Sequence, residues 1–285
     1  MAPTKAVATF DVALIGLGVR NVAHITLEAL ETLKKCKRGF VVSADQQAVD
    51  DFRTSVSSFL RDGESLPPLE SLTRAYRKDR ERIKNYSEAG SIVLDALEAE
   101  RPIAYLTPGN PVTFDRVAQE ILQGTRERGL SAFVVPGISS VDTILVDLQQ
   151  ELAPGMQIYE ASWFVGMKVR PDPRLSCLLL QTTLFATNYP VIGRKPRTDA
   201  LAPLKEYLLQ FYPPEHLLVF VRSGGGWNDP ASVYPVALKS LDDIPAGFQL
   251  GASMYIPPVE QARLDEQFLA EMSSVEQLKR RYPDS

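Results

Sequence analysis

The chain has 285 residues, 45% of them hydrophobic and 23% charged, a composition typical of a globular protein with about two domains. Its 31 Lys and Arg against 35 Asp and Glu give a formal net charge of −4, so no global basic field would recruit nucleic acid. Two Cys and two His exclude a disulfide framework and a multi-His metal site, and the apolar stretches are too short to span a bilayer. We therefore expect a cytoplasmic protein without a metal, nucleic-acid or membrane partner.

Strand and helix patterns alternate through the first half of the chain. Short apolar runs predict strands, and runs with helical spacing predict the segments between them. The predicted strands are 12–15, 40–42, 103–106 and 132–135, and the predicted helices cover 25–33, 48–60, 76–98 and 114–128. This order predicts a mainly parallel sheet covered by helices.

The pattern changes after Ala153-Pro154-Gly155. Strand-like runs at 178–181, 217–221 and 253–256 follow, spaced by long connections that carry Pro and Gly. We expect a first α/β domain over residues 1–155 and a second α/β domain with a mixed sheet over 156–262. Residues 263–285 are expected to form a C-terminal helix and tail.

Three loops with glycine each follow an apolar strand of the first domain. They are Gly16-Leu17-Gly18, Pro108-Gly109-Asn110-Pro111 and Pro136-Gly137-Ile138-Ser139-Ser140. In a parallel sheet such loops border the ligand crevice, and glycine lets the backbone approach a ligand closely. A nicotinamide site is disfavoured, because Asn21 stands where the third Gly of that fingerprint belongs and Asp45 lies too far along the chain. Plain tight turns stay open as the alternative.

Several motifs resemble the tetrapyrrole methylase superfamily, and within it the borosin-type peptide backbone N-methyltransferases. Besides the loops above they are Thr26-Leu27-Glu28-Ala29-Leu30, Tyr159-Glu160-Ala161-Ser162-Trp163-Phe164, Leu179-Leu180-Gln181 and Tyr255-Ile256-Pro257-Pro258. The resemblance implies a homodimer with S-adenosylmethionine in the cleft between two α/β domains and S-adenosylhomocysteine as the product. It implies these cofactor-binding residues: Gly16, Gly18, Pro108, Gly109, Asn110, Pro111, Val112, Phe114, Ser139, Ser140, Gln181, Tyr255 and Pro257.

The segment from Arg74 to Lys84 holds six basic residues among eleven. A solvated helix face is the ordinary explanation of such a run, and a nucleic-acid patch is less favoured at this net charge. The resemblance instead implies that Tyr76, Arg82 and Tyr86 surround a substrate amide. Amide methylation needs a base and a cation for the developing imidate oxygen. The hypothesis makes Tyr86 the base, has Arg82 activate it and polarise the carbonyl, and has Tyr76 position the amide.

Two features depart from the borosin pattern. Those enzymes place a Tyr before a Gly-His-Pro loop, whereas Pro108 precedes Gly109-Asn110-Pro111 here. Tyr105, three residues earlier on a predicted strand, is expected to point elsewhere. The given sequence also ends 27 residues after Pro258, so the acceptor peptide is expected on a separate chain, in trans.

The sequence thus predicts an S-adenosylmethionine-dependent methyltransferase of peptide biosynthesis that N-methylates a precursor peptide. A small-molecule methyltransferase of the same fold, acting on a tetrapyrrole or another metabolite, is one alternative, and a non-catalytic peptide-binding relative is another. His24, His216 and Cys177 are expected to be structural. Gly224-Gly225-Gly226-Trp227 is expected to line a channel or form a hairpin tip.

Overall fold

A computed structural model describes residues 10–191, 194, 196–225, 229–244, 251–260, 263 and 265–283. Gly226 and Trp227, singled out above, lie outside the described residues. The described residues form two five-stranded sheets with helices packed against them. No helix among them is long and apolar enough to cross a membrane.

The first sheet was predicted to be mainly parallel, and all of its strand pairs are parallel. Its strand order is β3-β2-β4-β1-β5, and every neighbouring pair runs in the same direction. The strands are β1 (Val12–Gly16), β2 (Arg38–Val41), β3 (Leu69–Ser71), β4 (Ile103–Thr107) and β5 (Ala132–Val135). Alternate side chains of β1 and β4 enter two separate cores on opposite faces of the sheet. All these strands therefore end at one edge, where the glycine-bearing loops begin.

Helices cover both faces of this sheet. Helices α1 and α2 contribute Leu33 and Val49 to one core, and α3 and α4 contribute Val93 and Ile121 to the other. The helices are α1 (Leu27–Leu33), α2 (Gln46–Ser57), α3 (Arg82–Ala99), α4 (Arg116–Glu127) and α5 (Ser140–Leu148). Side chains of Thr26, Asp45, Asp115 and Ser139 cap the N-termini of α1, α2, α4 and α5.

The prediction of a helix from Tyr76 to Glu98 was wrong about where the helix starts. The structure has β3, a 3-10 turn over Leu72–Ala75 and an irregular stretch before α3 begins at Arg82. Buried Asn85 explains the difference, because its amide donates to the Arg77 carbonyl at 2.9 Å and accepts from Nε of Arg80 at 2.7 Å. These bonds hold the chain in a turn that a helix would not allow. Tyr76 therefore lies on a loop.

The predicted helix from Phe114 to Arg128 also begins later than expected. Phe114 has φ of 56°, in the left-handed region, and Asp115 caps the helix that starts at Arg116. Capping by a carboxylate placed one residue before the helix satisfies the free amide of Ala118. Phe114 is thereby turned outward, and its ring is exposed.

The second sheet is mixed, also as predicted. Its order is β6-β7-β10-β8-β9; β6 and β7 are parallel, and the other pairs are antiparallel. The strands are β6 (Met156–Glu160), β7 (Ser176–Leu180), β8 (Leu217–Arg222), β9 (Ser232–Ala237) and β10 (Ser253–Ile256). Sequence patterns missed β6 and β9. β6 is half-buried along most of its length, and β9 carries Pro235, which is typical of an edge strand.

Two helices, α6 (Ala161–Gly166) and α7 (Ala202–Leu208), cover one face of the second sheet through Phe164 and Leu204. The other face packs against Ile144 of α5, which ties the second sheet to the first half of the chain. Two further helices, α8 (Glu266–Met272) and α9 (Val275–Arg281), contain no buried residue. The second sheet begins at Met156, next to the expected boundary, and the division into domains stays a prediction.

Candidate active site

Three glycine-bearing loops meet backbone to backbone at the carboxyl edge of the first sheet. A Cβ on Gly16 would fall 2.5 Å from the nitrogen of Gly137 and 2.6 Å from the carbonyl oxygen of Gly109. Gly18 and Gly109 also exchange main-chain hydrogen bonds of 3.1 and 2.8 Å. Only glycine allows these approaches, so the loops after β1, β4 and β5 converge as the sequence predicts.

A cavity of about 580 Å³ lies beside these loops. Its walls combine amide, hydroxyl and carboxylate groups with apolar side chains, from Asn110, Val112, Thr113, Phe114, Ser139, Val141, Asp142 and Ile158. Ser139 and Asp142 form a capping box at the start of α5, with bonds of 2.7 Å from the Ser139 nitrogen and 3.3 Å from the Asp142 nitrogen. Polar groups on rigid elements beside close-packed backbone fit a nucleoside-bearing ligand such as S-adenosylmethionine.

The structure brings most of the predicted cofactor residues to this region. Asn110, Val112, Phe114 and Ser139 line the cavity, while Gly16, Gly18 and Gly109 form the loop junction. Pro108 and Pro111 flank Gly109-Asn110, and Ser140 begins α5. Gln181 lines the adjoining cavity described next.

Tyr255 and Pro257 are not among the residues that line either cavity. The Tyr255 hydroxyl bonds to Ser176 and donates to Gln150, both at 2.9 Å, and the Pro257 carbonyl bonds to His216 at 2.9 Å. The hydroxyl of Tyr255 is therefore engaged by the second sheet and by the residue Gln150, which follows α5, and the carbonyl of Pro257 is engaged by His216. Direct contact of these two residues with the cofactor stays a prediction.

A larger cavity of about 800 Å³ adjoins the first one and shares Val112, Phe114 and Ile158 with it. Its walls come from α3, α4 and the loop before α4 on one side, and from β6, α6 and the segment after β7 on the other. Large apolar side chains that are otherwise exposed border it, namely Ile83, Val112, Phe114, Ile158, Trp163 and Met167. Trp163 is 67% exposed, so most of its indole is free to contact an occupant of this space. We call this space the acceptor cavity.

Arg82 enters the acceptor cavity from the first turn of α3. Its main-chain nitrogen donates to the Asn188 carbonyl and one of its Nη atoms donates to the Thr187 carbonyl, each at 2.6 Å. Its Nε is buried and has no hydrogen-bond partner within the described part of the chain. A buried guanidinium donor left without a partner costs stability. Because Arg82 also lines the cavity, its planar guanidinium can donate to a ligand oxygen there.

Tyr86 lines the acceptor cavity one turn along α3 from Arg82, and Tyr76 packs behind it. The two rings meet edge to face with their centroids 6.2 Å apart. Burial raises the pKa of Tyr76 well above its usual value, and the neighbouring Tyr86 and Asp115 raise that pKa further. Tyr76 is therefore held as a neutral phenol, which suits the positioning role predicted for it and not the role of a base.

Tyr105 lines neither cavity, and it reaches this site through its bond to Asp115. Its ring is fully buried in the core that includes Tyr76 and Tyr86, and its hydroxyl donates to the Asp115 carboxylate at 2.9 and 3.2 Å. Burial and then the charge of Asp115 raise the pKa of Tyr105. The alternation of the strand puts Tyr105 on the same face as Ile103, which packs under α3 and α4.

Asp115 was also missed from the sequence, although it lines the acceptor cavity. Its Oδ1 accepts from the Ala118 nitrogen at 3.0 Å, in addition to the bond from Tyr105. An Asp just before an apolar helical pattern is a recognisable N-cap, but that signal does not say that the same carboxylate faces a cavity.

The first loop is also joined to the second sheet near these cavities. Nε of Arg20 donates to the Gly224 carbonyl at 3.1 Å, and Nη2 of Arg20 lies 3.4 Å from Asp147 on α5. Ser223 donates to Thr143 of α5 at 2.9 Å. Behind the same loop, Nδ1 of His24 accepts from the Val19 nitrogen at 3.4 Å.

The chain matches the model of the family Tetrapyrrole (Corrin/Porphyrin) Methylases over residues 11–242. It is 25% identical over 259 residues to a methyltransferase and type II borosin cyclic peptide precursor of Phlebiopsis gigantea, covering 89% of this chain and 44% of that protein. The corresponding type I protein of Cerrena unicolor is 23% identical, with 94% of this chain and 63% of that protein covered. The chain thus spans less than two thirds of these relatives.

A probable cobalt-precorrin-2 C(20)-methyltransferase of Methanocaldococcus jannaschii is 28% identical over 141 residues, half of this chain and 58% of that protein. Among solved structures, diphthine synthase matches with a TM-score of 0.58 and 14% identity over 88% of this chain and 91% of that one. Uroporphyrin-III C-methyltransferase of Thermus thermophilus, complexed with S-adenyl homocysteine, matches with a TM-score of 0.53 and 18% identity, covering 87% and 97%. The fold and the motif resemblance are confirmed, and the chain belongs to the tetrapyrrole (corrin/porphyrin) methylase family of S-adenosylmethionine-dependent methyltransferases.

Proposed function

We propose that this protein transfers methyl groups to backbone amide nitrogens of a peptide supplied as a separate chain. The observation that carries the proposal is the guanidinium of Arg82, which lines the acceptor cavity and is held by the Thr187 carbonyl. A peptide carbonyl oxygen is a group that such a donor binds. The borosin relatives, whose names describe peptide precursors, support the same class of acceptor.

The arginine addresses the chief difficulty of amide methylation. An amide nitrogen is a poor nucleophile because its electron pair is delocalised onto oxygen, and negative charge grows on that oxygen as the nitrogen loses its proton. A preorganised guanidinium donor aimed at the oxygen stabilises this charge in a site with little water. The bond from Nη2 of Arg82 to the Thr187 carbonyl holds the guanidinium, and the bond from the Arg82 main-chain nitrogen to the Asn188 carbonyl holds the start of α3, before the acceptor arrives.

The cofactor and the two tyrosines have separate roles. Bound S-adenosylmethionine supplies an electrophilic methyl group on a sulfonium sulfur. Tyr86 forms part of the wall against which the amide lies, and Tyr76 supports Tyr86 from behind as a neutral phenol. The activity expected of Tyr86 as a base remains a prediction.

The rim of the acceptor cavity favours an acceptor with apolar side chains. Trp163, Met167 and Ile83 offer exposed apolar surface, and an occupant that covers them also excludes water from the transfer. The charged side chains on the walls are balanced, with Arg82 and Arg116 against Asp115 and Glu160. A polyanionic acceptor would meet two carboxylates there.

The precorrin methyltransferase relative favours a second candidate, methylation of a tetrapyrrole. Tetrapyrrole precursors carry several carboxylates, which the balanced charges of the acceptor cavity suit less well than an uncharged peptide. One assay separates the two acceptor classes.

The protein is incubated with S-adenosylmethionine and, in parallel, with a library of peptides rich in Val, Ile and Ala or with uroporphyrinogen III. We expect mass increases of one or more methyl groups on peptides only, with fragmentation placing them on backbone nitrogens. Methylation of the tetrapyrrole alone would establish the second candidate, and methylation on peptide side chains would contradict the amide assignment.

A further inference from the structure

The acceptor cavity offers both the hydrogen-bond donor and the hydrogen-bond acceptor that a single amide group requires. Arg82 lines the cavity with a guanidinium, which donates hydrogen bonds, and Asp115 lines the same cavity with a carboxylate, which accepts them. An amide has one acceptor, its carbonyl oxygen, and one donor, its N–H. Arg82 matches the first, and Asp115 matches the second.

Asp115 retains capacity to accept another hydrogen bond. Among the described residues two donors reach it, the main-chain nitrogen of Ala118 at 3.0 Å and the hydroxyl of Tyr105 at 2.9 Å. A carboxylate has about four acceptor positions, so Asp115 can bind a further donor from the cavity.

Tyr105 fixes the direction of this carboxylate. Its ring is fully buried between β4 and the helices α3 and α4, so its hydroxyl cannot turn to solvent. Together with the cap bond to Ala118, this bond holds Asp115 at two points. The carboxylate is therefore preorganised before an acceptor binds.

We propose that Asp115 binds the N–H of the amide and takes its proton during methyl transfer, and that Tyr105 is the positioning residue that aims it. The inference rests on the proposed amide acceptor. The nitrogen's electron pair forms the new N–C bond while the S–C bond breaks, and the sulfonium becomes a neutral thioether. The N–H proton passes to the Asp115 carboxylate, which becomes a neutral carboxylic acid, and Arg82 holds the carbonyl oxygen throughout.

This assignment differs from the sequence hypothesis, which made Tyr86 the base. A phenol must first lose its own proton to act as a base, whereas a carboxylate held by two donors is available as it stands. The growing bond to the methyl group also makes the N–H more acidic, so the proton passes to the carboxylate while the methyl group is transferred. Tyr86 then serves to orient the amide.

Asp115 is also an N-cap, and the test must separate that structural role from the chemical one. Asn caps a helix as well as Asp does but cannot take a proton. Asp45 provides a matched control, because it caps α2 through an equivalent bond to Ala48 of 2.9 Å and lies outside both cavities. The variants are Asp115→Asn, Asp45→Asn, Asp115→Gly and Tyr105→Phe.

Each variant is assayed for kcat and KM with a peptide that the wild type methylates, for affinity toward S-adenosylhomocysteine, and for melting temperature. We expect Asp115→Asn to lower kcat about 100-fold or more with unchanged cofactor affinity, as loss of a general base does. Tyr105→Phe should lower kcat about tenfold without changing KM, because one charge-assisted bond is lost. Asp45→Asn should leave both constants unchanged.

Chemical rescue gives a readout that a structural role would not produce. Added formate should restore part of the activity of Asp115→Gly, since it can occupy the place of the missing carboxylate, and should not restore Asp115→Asn. Wild-type kcat in Asp115→Asn, or no formate rescue in a folded Asp115→Gly that binds cofactor, would overturn the assignment while the proposed function stands. Failure of the wild type to methylate any peptide amide would overturn both.

Discussion

Gly16 and Gly137 lie against each other so closely that no side chain fits between them: a Cβ on Gly137 would fall 2.7 Å from the carbonyl carbon of Gly16. The same Cβ would fall 2.2 Å from the Gly109 carbonyl oxygen. These atoms are main chain and cannot rotate away, so the loop after β5 has to contain glycine at this point. The junction therefore fixes the position of Ser139 and of α5, which follow directly.

Replacing Gly137 with Ala should disrupt the proposed cofactor site. Because Gly137 has an ordinary negative φ, the effect comes from lack of space and not from backbone conformation. We expect at least a tenfold loss of affinity for S-adenosylhomocysteine, measured by calorimetry, from displacement of the loop.

The matched control for this variant is Gly166→Ala at the exposed end of α6, where a Cβ meets no atom within 4 Å. It should bind the ligand like the wild type. Equal affinity in Gly137→Ala would mean that the junction is not part of the cofactor site.

Replacing Arg82 with Lys should lower kcat by a factor of about 100, because an ammonium group lacks the fork that reaches both the Thr187 carbonyl and the acceptor oxygen. Steady-state kinetics with a peptide that the wild type methylates measure this loss. Arg77→Lys is the control, since Arg77 is exposed, pairs with Asp79 and is absent from the cavity walls. Full activity of Arg82→Lys would contradict the role proposed for the guanidinium.

His24 should make the stability of the first loop dependent on pH. Burial, and then the charge of Arg20, lower the pKa of His24 below its usual 6.5. The folded protein thus binds this proton less readily than the unfolded chain does. The resulting stabilisation is complete above the unfolded value of 6.5 and is lost as the pH falls from there toward the lowered pKa of the folded state.

Melting temperatures measured from neutral pH to about pH 5 test this dependence. His24→Asn is the comparison, because its amide oxygen can accept from the Val19 nitrogen without titrating. We expect the wild type to lose more stability than this variant across the window. Parallel pH profiles would show that His24 does not control the loop.

Both cysteines should resist modification in the native protein. Burial raises the pKa of Cys36 and of Cys177 to about 12, so almost no thiolate exists at neutral pH. A thiol reagent such as dithionitrobenzoate should react with neither in the folded state and with both after denaturation. Rapid native reaction of either thiol would show that its surroundings open in solution.

Sequence patterns identified most of the strands that are short apolar runs bounded by loop residues. The predicted limits of β5 and β10 coincide with the structure, since both are short apolar runs bounded by loop residues. The half-buried β6 and the three-residue β3 carry weak patterns and were missed. Their place is decided by neighbouring strands that lie far away in the sequence.

The candidate site could also be predicted only in part, because some of its geometry depends on contacts between distant residues. Tyr76, Arg82 and Tyr86 were identified through motif spacing, but the turn held by Asn85 could not be foreseen, because it depends on side-chain bonds to the main chain. Tyr105 could not be placed, because the helices that cover each face of its strand are decided by the fold. The sequence pattern indicates that Asp115 is a helix N-cap, but only the fold shows that it also lines the acceptor cavity.

The support of Arg82 has a practical consequence for engineering. Its guanidinium is held by the carbonyl of a residue 105 positions further along the chain, and carbonyls are the same in every residue type. Sequence comparison therefore carries no trace of this support, and the contact would survive wide variation at Thr187 and Asn188. Grafting the Tyr-Arg-Tyr segment alone onto another scaffold would transfer the sequence motif. It would not transfer the carbonyl of the distant segment that holds the arginine in place.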